Sequence, residues 1–231
     1  MATTKENPAF EKYMTPIAVV LGALIIALAV AFGRGGVPQD AGELPTTVDI
    51  REVSTENAPF VGERNAPVTI AVWFDYQCPF CKRFELETLS QVYDNYVTSG
   101  KVKIVYKDFQ FLGPDSQTAA LFARAVWDAH PNHFHTWLTA VMTAQDAEHG
   151  GFGDAASLTE LTRGIEGIDT DRVLRLMDEN KAEYEAAIAA DRAEGTALGI
   201  NGTPGTIIGT NLLPGARPYA EVAALIDAEL Q

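Results

Sequence analysis

Cys78 and Cys81 are the only cysteines of this 231-residue chain, and they follow directly on the run Val68-Thr69-Ile70-Ala71-Val72-Trp73-Phe74. A short β-branched and aromatic run, with Pro67 before it and polar residues after it, reads as a buried strand. Beyond the cysteines, Phe84, Leu86, Leu89, Val92, Tyr93 and Tyr96 recur at helical spacing, which predicts a helix from near Cys78 to about Val97, closed by Gly100. The next run, Val102 to Phe109, alternates in the manner of a second strand. Strand, helix and strand make a right-handed βαβ unit, with the cysteines at its first strand-to-helix junction.

That position favours thiol chemistry over stapling. A disulfide across two intervening residues closes so small a loop that it contributes little chain-entropy stabilisation. A sulfur at the start of a helix, in contrast, meets unpaired backbone N–H groups and the positive end of the helix dipole, and both stabilise a thiolate. Thiolate is the form that attacks and leaves in disulfide exchange, so Cys78 is the expected nucleophile and Cys81, one turn further in, the resolving partner. Pro79 suits the first helical turn, where its missing N–H costs nothing. A lone Cys-x-x-Cys is also half of a zinc or iron–sulfur site, but the chain has no second pair.

The N-terminus is of another kind. From Tyr13 to Gly33 there is no charged residue, and Ile17 to Phe32 is nearly all Ala, Val, Leu and Ile. At ~1.5 Å per residue this spans a hydrocarbon core of roughly 30 Å. A cleaved signal peptide is the rival reading, with Ala29-Val30-Ala31 as its small residues, but the run exceeds the usual h-region of about 7–15 residues. Lys5 and Lys12 before the segment against Arg34 behind it place the N-terminus inside by a narrow margin. The net charge of −14, without a basic cluster, excludes a nucleic-acid-binding surface.

The expected organisation is a tail over 1–12, a single transmembrane anchor over 13–33, and a linker over 34–57 carrying a candidate edge strand from Thr47 to Val53. A folded domain then covers 58–231, with a helical insertion at about 114–200 that is too long for a plain crossover. Breaks are expected at Pro131, at Gly150 to Gly153 and around Gly164 to Asp169, and Ser157 with Glu160 has a capping-box pattern. Thr206-Ile207-Ile208 reads as a strand, Leu213-Pro214-Gly215 as a turn, and Val222, Leu225 and Ile226 as one face of a last helix.

Phe74-Asp75-Tyr76-Gln77-Cys78-Pro79-Phe80-Cys81, preceded by Ala66-Pro67-Val68-Thr69, resembles the DsbA-like branch of the thioredoxin superfamily. Val105-Tyr106-Lys107-Asp108-Phe109 and Gly202-Thr203-Pro204-Gly205 fall where that branch has its second strand and its cis-proline loop. The resemblance spans roughly residues 58 to 231 and implies an α/β, thioredoxin-like fold with an inserted helical subdomain, here preceded by one N-terminal transmembrane helix. It implies that Pro204 is cis and faces the cysteines, with Thr203 backbone groups offered to an extended substrate segment. Two departures stand out. Val72 occupies the position, six residues before Cys78, where many relatives carry a buried carboxylate, leaving Asp75 as a substitute proton acceptor, a helix cap or a residue that faces water. The dipeptide between the cysteines is Pro79-Phe80, without the His of the strongest oxidants of the family.

Other residues invite functional readings that the pattern does not favour. Pro131 interrupts the cluster His130, His133 and His135, and the last two would not share a helix face, so no metal site is expected there. Trp127, Phe134 and Trp137 read as core or groove lining, and Lys82 and Arg83 either bias the thiolate or are simply solvated. The expected protein is a membrane-anchored thiol–disulfide oxidoreductase without a bound cofactor, its domain on the extracytoplasmic side. It would introduce disulfides into cysteine-containing secreted polypeptides and, as the resemblance implies, be recharged by a quinone-linked membrane partner. An isomerase or reductase with the same two cysteines, a metal-binding module and a chaperone-like peptide binder are the alternatives.

Overall fold

The computed structural model describes residues 48–147 and 150–231. The expected tail, anchor and most of the linker lie outside the described residues; among those described, no helix is long and apolar enough to cross a membrane. The described chain forms a five-stranded sheet in the order β1-β3-β2-β4-β5, made of β1 (Phe60–Val61), β2 (Val68–Phe74), β3 (Val102–Asp108), β4 (Gly205–Ile208) and β5 (Asn211–Pro214). The central pair β2 and β3 is parallel, with Val72 opposite Tyr106, and the other pairings are antiparallel.

Both faces of β2 are covered, which is why its sequence is almost continuously apolar. Its alternation sorts side chains into two cores. Val68, Ile70, Val72 and Phe74 join the main cluster with Phe84, Val92, Phe122, Trp137 and Ile226. Ala71 and Trp73 face a smaller one with Val48, Val53, Phe109, Ile200 and Ile207. The helix α1 runs without interruption from Pro79 to Val97, but its turns over Phe84–Leu89 and Tyr93–Val97 are wide, with Ser90 N–H bonded to Glu85 O and Thr98 N–H to Tyr93 O. The extra residue per turn rotates the buried face. Glu85 is therefore buried, whereas Leu86, which helical spacing places inward, is only partly covered.

Between β3 and β4 the insertion comprises α2 (Pro114–Ala129), α3 (Phe134–Ala144), α4 (Ala155–Arg163), α5 (Thr170–Glu179) and α6 (Lys181–Ala197), broken at the three places the sequence indicates and once more at Asn180; α7 (Tyr219–Glu229) closes the fold. A buried ion network ties the insertion to the sheet. Arg124 on α2 donates to Asp108 at 2.7 Å and to Asp191 on α6 at 2.6 Å. Lys107 pairs with Asp191 and, at 3.0 Å, with Glu194. Trp73 Nε1 donates to the Asp191 carbonyl at 2.9 Å, and the indole lies so close to α6 that a Cβ at Gly195 would run into it.

Three local expectations are corrected. The described part of the Thr47 to Val53 segment is a 3-10 turn, Ile50–Glu52, because Asp49 accepts the Arg51 N–H and the Ile50 N–H is committed to Gly209 O; the edge strand is β1 instead. The start of α4 is capped by Asp154, which accepts the Ser157 N–H at 2.8 Å, while Ser157 Oγ accepts the Gly153 N–H. Ser157 is thus inside the helix rather than its cap. Leu213 and Pro214 belong to β5, an edge strand that tolerates proline; the hairpin from β4 turns at Gly209, whose φ is 57, and the chain bends again after β5 at Gly215.

Candidate active site

The antiparallel register of β2 and β4 sets Trp73 opposite Gly205, so the loop leaving β2 and the loop entering β4 share one end of the sheet. At that end Cys78 is the N-cap of α1, with extended backbone and Pro79 as the first helical residue. Its N–H bonds Asp75 O at 3.1 Å and its carbonyl starts the helix by accepting the Lys82 N–H at 3.1 Å. Cys81 is buried one turn in, and neither cysteine is paired. The Thr203-Pro204 peptide bond is cis, and the Thr203 carbonyl oxygen lies 3.4 Å from Cys78 Sγ.

The two sulfurs are electrostatically unlike. Hydrogen bonding from the Cys81 thiol, joined by Thr203 and the backbone N–H groups of Cys81 and Phe80, lowers the Cys78 pKa to about 6 against the opposing effect of burial. Burial pushes the Cys81 thiol well up, and the neighbouring Cys78 pushes it further. One sulfur is an exchange-ready thiolate near neutral pH, while the other is held as a thiol. Phe80, between them, is 54% exposed, with the Arg83 guanidinium 5.1 Å over its ring.

Asp75 is held by the loops around the cysteines. It is fully buried, and its carboxylate accepts from Gln77 N–H, Ser116 Oγ, Phe111 N–H and Leu112 N–H at 2.6–3.3 Å. Phe111 and Leu112 in the loop after β3 and Ser116 on α2 thereby pin the loop after β2, so Asp75 neither caps α1 nor faces water. Lys82 also has a definite partner, donating to Gln145 O at 2.6 Å.

Two residues near the cysteines escaped sequence reasoning. Gln145, at the end of α3, donates from its side chain to Tyr76 O at 2.7 Å and Cys78 O at 3.3 Å. Glu85 is buried on α1, accepts from Tyr106 Oη at 3.0 Å, and lies 4.0 Å from His135 Nε2; burial raises its pKa to about 7. Neither carries a local signal, since a Gln at a helix end and a Glu within a helix are ordinary surface residues. His130 meets His133 edge to face at 6.1 Å and accepts the Asp169 N–H, whereas His135 turns away and stacks on Tyr93. Phe134 and Trp137 are core, and Trp127 lines a cleft of about 750 Å³ with Phe60 and His135 that contains neither cysteine.

Comparison with known proteins agrees with this geometry. A family model described as Thioredoxin matches residues 54–228. Disulfide bond formation protein D of Bacillus subtilis is 24% identical over 178 residues, spanning 77% of this chain and 79% of that protein. The crystal structure of oxidised BdbD from Bacillus subtilis superposes with a TM-score of 0.69 at 24% identity, covering 77% of this chain and 95% of that one. The thiol-disulfide exchange protein alpha-DsbA2 from Wolbachia pipientis gives 0.67 at 27% identity, covering 76% and 88%. The chain belongs to the thioredoxin family and is a disulfide oxidoreductase of the DsbA-like kind.

Proposed function

We propose that the chain is a dithiol oxidase, donating a Cys78–Cys81 disulfide to cysteine-containing polypeptides outside the cytoplasm, where it is held by the segment 13–33. The observation that carries the direction is the contrast between the sulfurs: Cys78 at a pKa of about 6 and Cys81 held well above its usual value. A stabilised Cys78 thiolate favours the reduced enzyme, which makes its disulfide easy to give away. The relatives named for disulfide bond formation support the same direction.

In the proposed cycle a substrate thiolate attacks Cys78 Sγ, the Cys78–Cys81 bond breaks, and Cys81 leaves with the electron pair and takes up a proton. A second substrate thiolate attacks the substrate sulfur of the mixed disulfide and expels the Cys78 thiolate. The substrate leaves two electrons poorer and the enzyme two electrons richer. Oxidation back to the disulfide falls to a quinone-linked membrane partner. Thr203 and Pro204 would hold the extended substrate against Cys78, and exposed Phe80 would border that strip.

The test is the reduction potential of the pair, from equilibration with glutathione buffers and counting of free thiols. A value near about −120 mV supports the oxidase, and one near about −270 mV replaces it with a reductase. Cys78→Ser removes all exchange if the protein is a redox enzyme, and leaves peptide binding intact if it is a chaperone-like binder. Retention of the full chain in membranes after alkaline extraction, with the domain open to protease from the outer side, tests the anchor.

A further inference from the structure

The side chain of Gln145 lies across 67 residues of sequence from Cys78, belongs to the insertion rather than to the βαβ unit, and is 4% exposed. Both hydrogens of an amide NH₂ are available as donors. Here that nitrogen meets the carbonyl oxygens of Tyr76 and Cys78, the two that flank Gln77 in the turn entering α1. The amide orientation follows from those partners, because the reverse would set its oxygen against two carbonyl oxygens. The consequence is an acceptor, Gln145 Oε1, buried without a partner among the described residues. Leaving an acceptor unmade is costly, so the arrangement commits the donor end to the turn.

The backbone of Gln145 is fixed in return. Its carbonyl accepts the Lys82 ammonium from α1 at 2.6 Å, and Thr143 O lies 3.4 Å from the same nitrogen, so a cation from α1 satisfies carbonyls at the C-terminal end of α3. Gln77 Nε2 adds a second tie, donating to Phe152 O at 3.0 Å. The insertion thereby grips the turn on both sides of Gln77. Cys78 O also accepts the Lys82 N–H that opens α1, so one carbonyl ties the first helical turn to the Gln145 amide. Held by that amide, the Tyr76 and Cys78 carbonyls keep the turn in the form in which the Phe80 and Cys81 N–H groups face Cys78.

We infer that Gln145 is a positioning residue for Cys78, through which the helical insertion holds the active-site turn in the geometry that stabilises the attacking thiolate. The inference rests on Cys78 being the attacking sulfur, as proposed above.

The experiment compares wild-type protein with Gln145→Met, a side chain of similar length without donors, following the ultraviolet absorbance of the Cys78 thiolate against pH and the alkylation rate at fixed pH. The expected result is a midpoint shifted upward and, below that midpoint, a thiolate fraction and alkylation rate reduced about tenfold, in line with one ordinary hydrogen bond. A residue that only packs would lower thermal stability and leave the midpoint in place. A folded Gln145→Met protein with the wild-type midpoint therefore overturns the inference. Should that variant not fold, the side-chain amide signals of Gln145 in ¹⁵N-labelled wild-type protein decide: they move with the Cys78 midpoint if the inference holds, and stay fixed through it if it does not. A low reduction potential would defeat the oxidase reading while leaving the midpoint comparison intact.

Discussion

Cys78 Sγ lies 3.4 Å from the carbonyl oxygen of Thr203, 125 residues away in the sequence. The contact is a product of sheet register. Because β2 and β4 run antiparallel with Trp73 opposite Gly205, the residues just past the end of β2 and just before the start of β4 must meet. The thiol motif and the cis-proline loop are thus joined by the two strands between them, and whatever preserves that register preserves the site.

The ionisation of Cys78 makes the stability of the reduced protein depend on pH. Its folded pKa, about 6, is below the usual 9.0, so its contribution is fully present above pH 9 and is lost as pH falls through 6. The oxidised protein has no such group. The difference in melting temperature between reduced and oxidised forms should widen steadily from pH 5 to pH 8; equal melting curves across that range would contradict a stabilised thiolate.

Glu85 acts in the opposite sense. Burial raises its pKa from 4.5 to about 7, so its protonated form is favoured by folding, and the associated stability is present below pH 4.5 and lost as pH rises through 7. Asp108, raised to about 6 chiefly by burial, adds to the same slope, so the informative quantity is a difference between proteins. Glu85→Gln, neutral at every pH, should gain stability relative to wild type between pH 5 and pH 8. Urea midpoints at several pH values measure it, and parallel curves would show that Glu85 is not protonated on folding.

Arg124 holds Asp108 and Asp191 together in the interior. Arg124→Met keeps much of the volume but leaves Asp108, Asp191 and Glu194 with Lys107 alone to balance them, which should cost about 3–5 kcal/mol. Chemical denaturation of the reduced protein gives the value. A loss under about 1 kcal/mol would mean that water reaches the network and screens it.

At Gly195 the close approach of the Trp73 indole leaves no room for a methyl group. Gly195→Ala should destabilise by about 1–3 kcal/mol despite its better helix propensity, because the indole and α6 must separate. Loss of near-ultraviolet circular dichroism from Trp73 would accompany the change, whereas a stabilised variant would show that α6 shifts freely.

Much of the frame was legible beforehand, because its signals are local. The β-branched run of β2, the helix after the cysteines, the glycine and proline breaks of the insertion and the apolar face of α7 are set by a few neighbouring residues, and they predict elements that the structure contains. The cysteines were legible for the same reason: spacing and position at a helix start determine their chemistry. Local signals failed where a distant partner intervened. Ile50–Glu52 became a turn through Asp49 and Gly209, and the wide turns of α1 exchanged Leu86 for Glu85 on the buried face. Asp75, legible as a carboxylate in the right place, acquired its role only from donors on Phe111, Leu112 and Ser116. Gln145, Glu85 and Arg124 were invisible as functional or structural residues, since a hydrogen bond across tens of residues depends on how helices pack and leaves no periodicity behind. The sequence by itself determined the elements and the chemistry of the cysteine pair; the tertiary structure alone decided which polar side chains surround that pair, because only packing brings donor and acceptor within a hydrogen bond's reach.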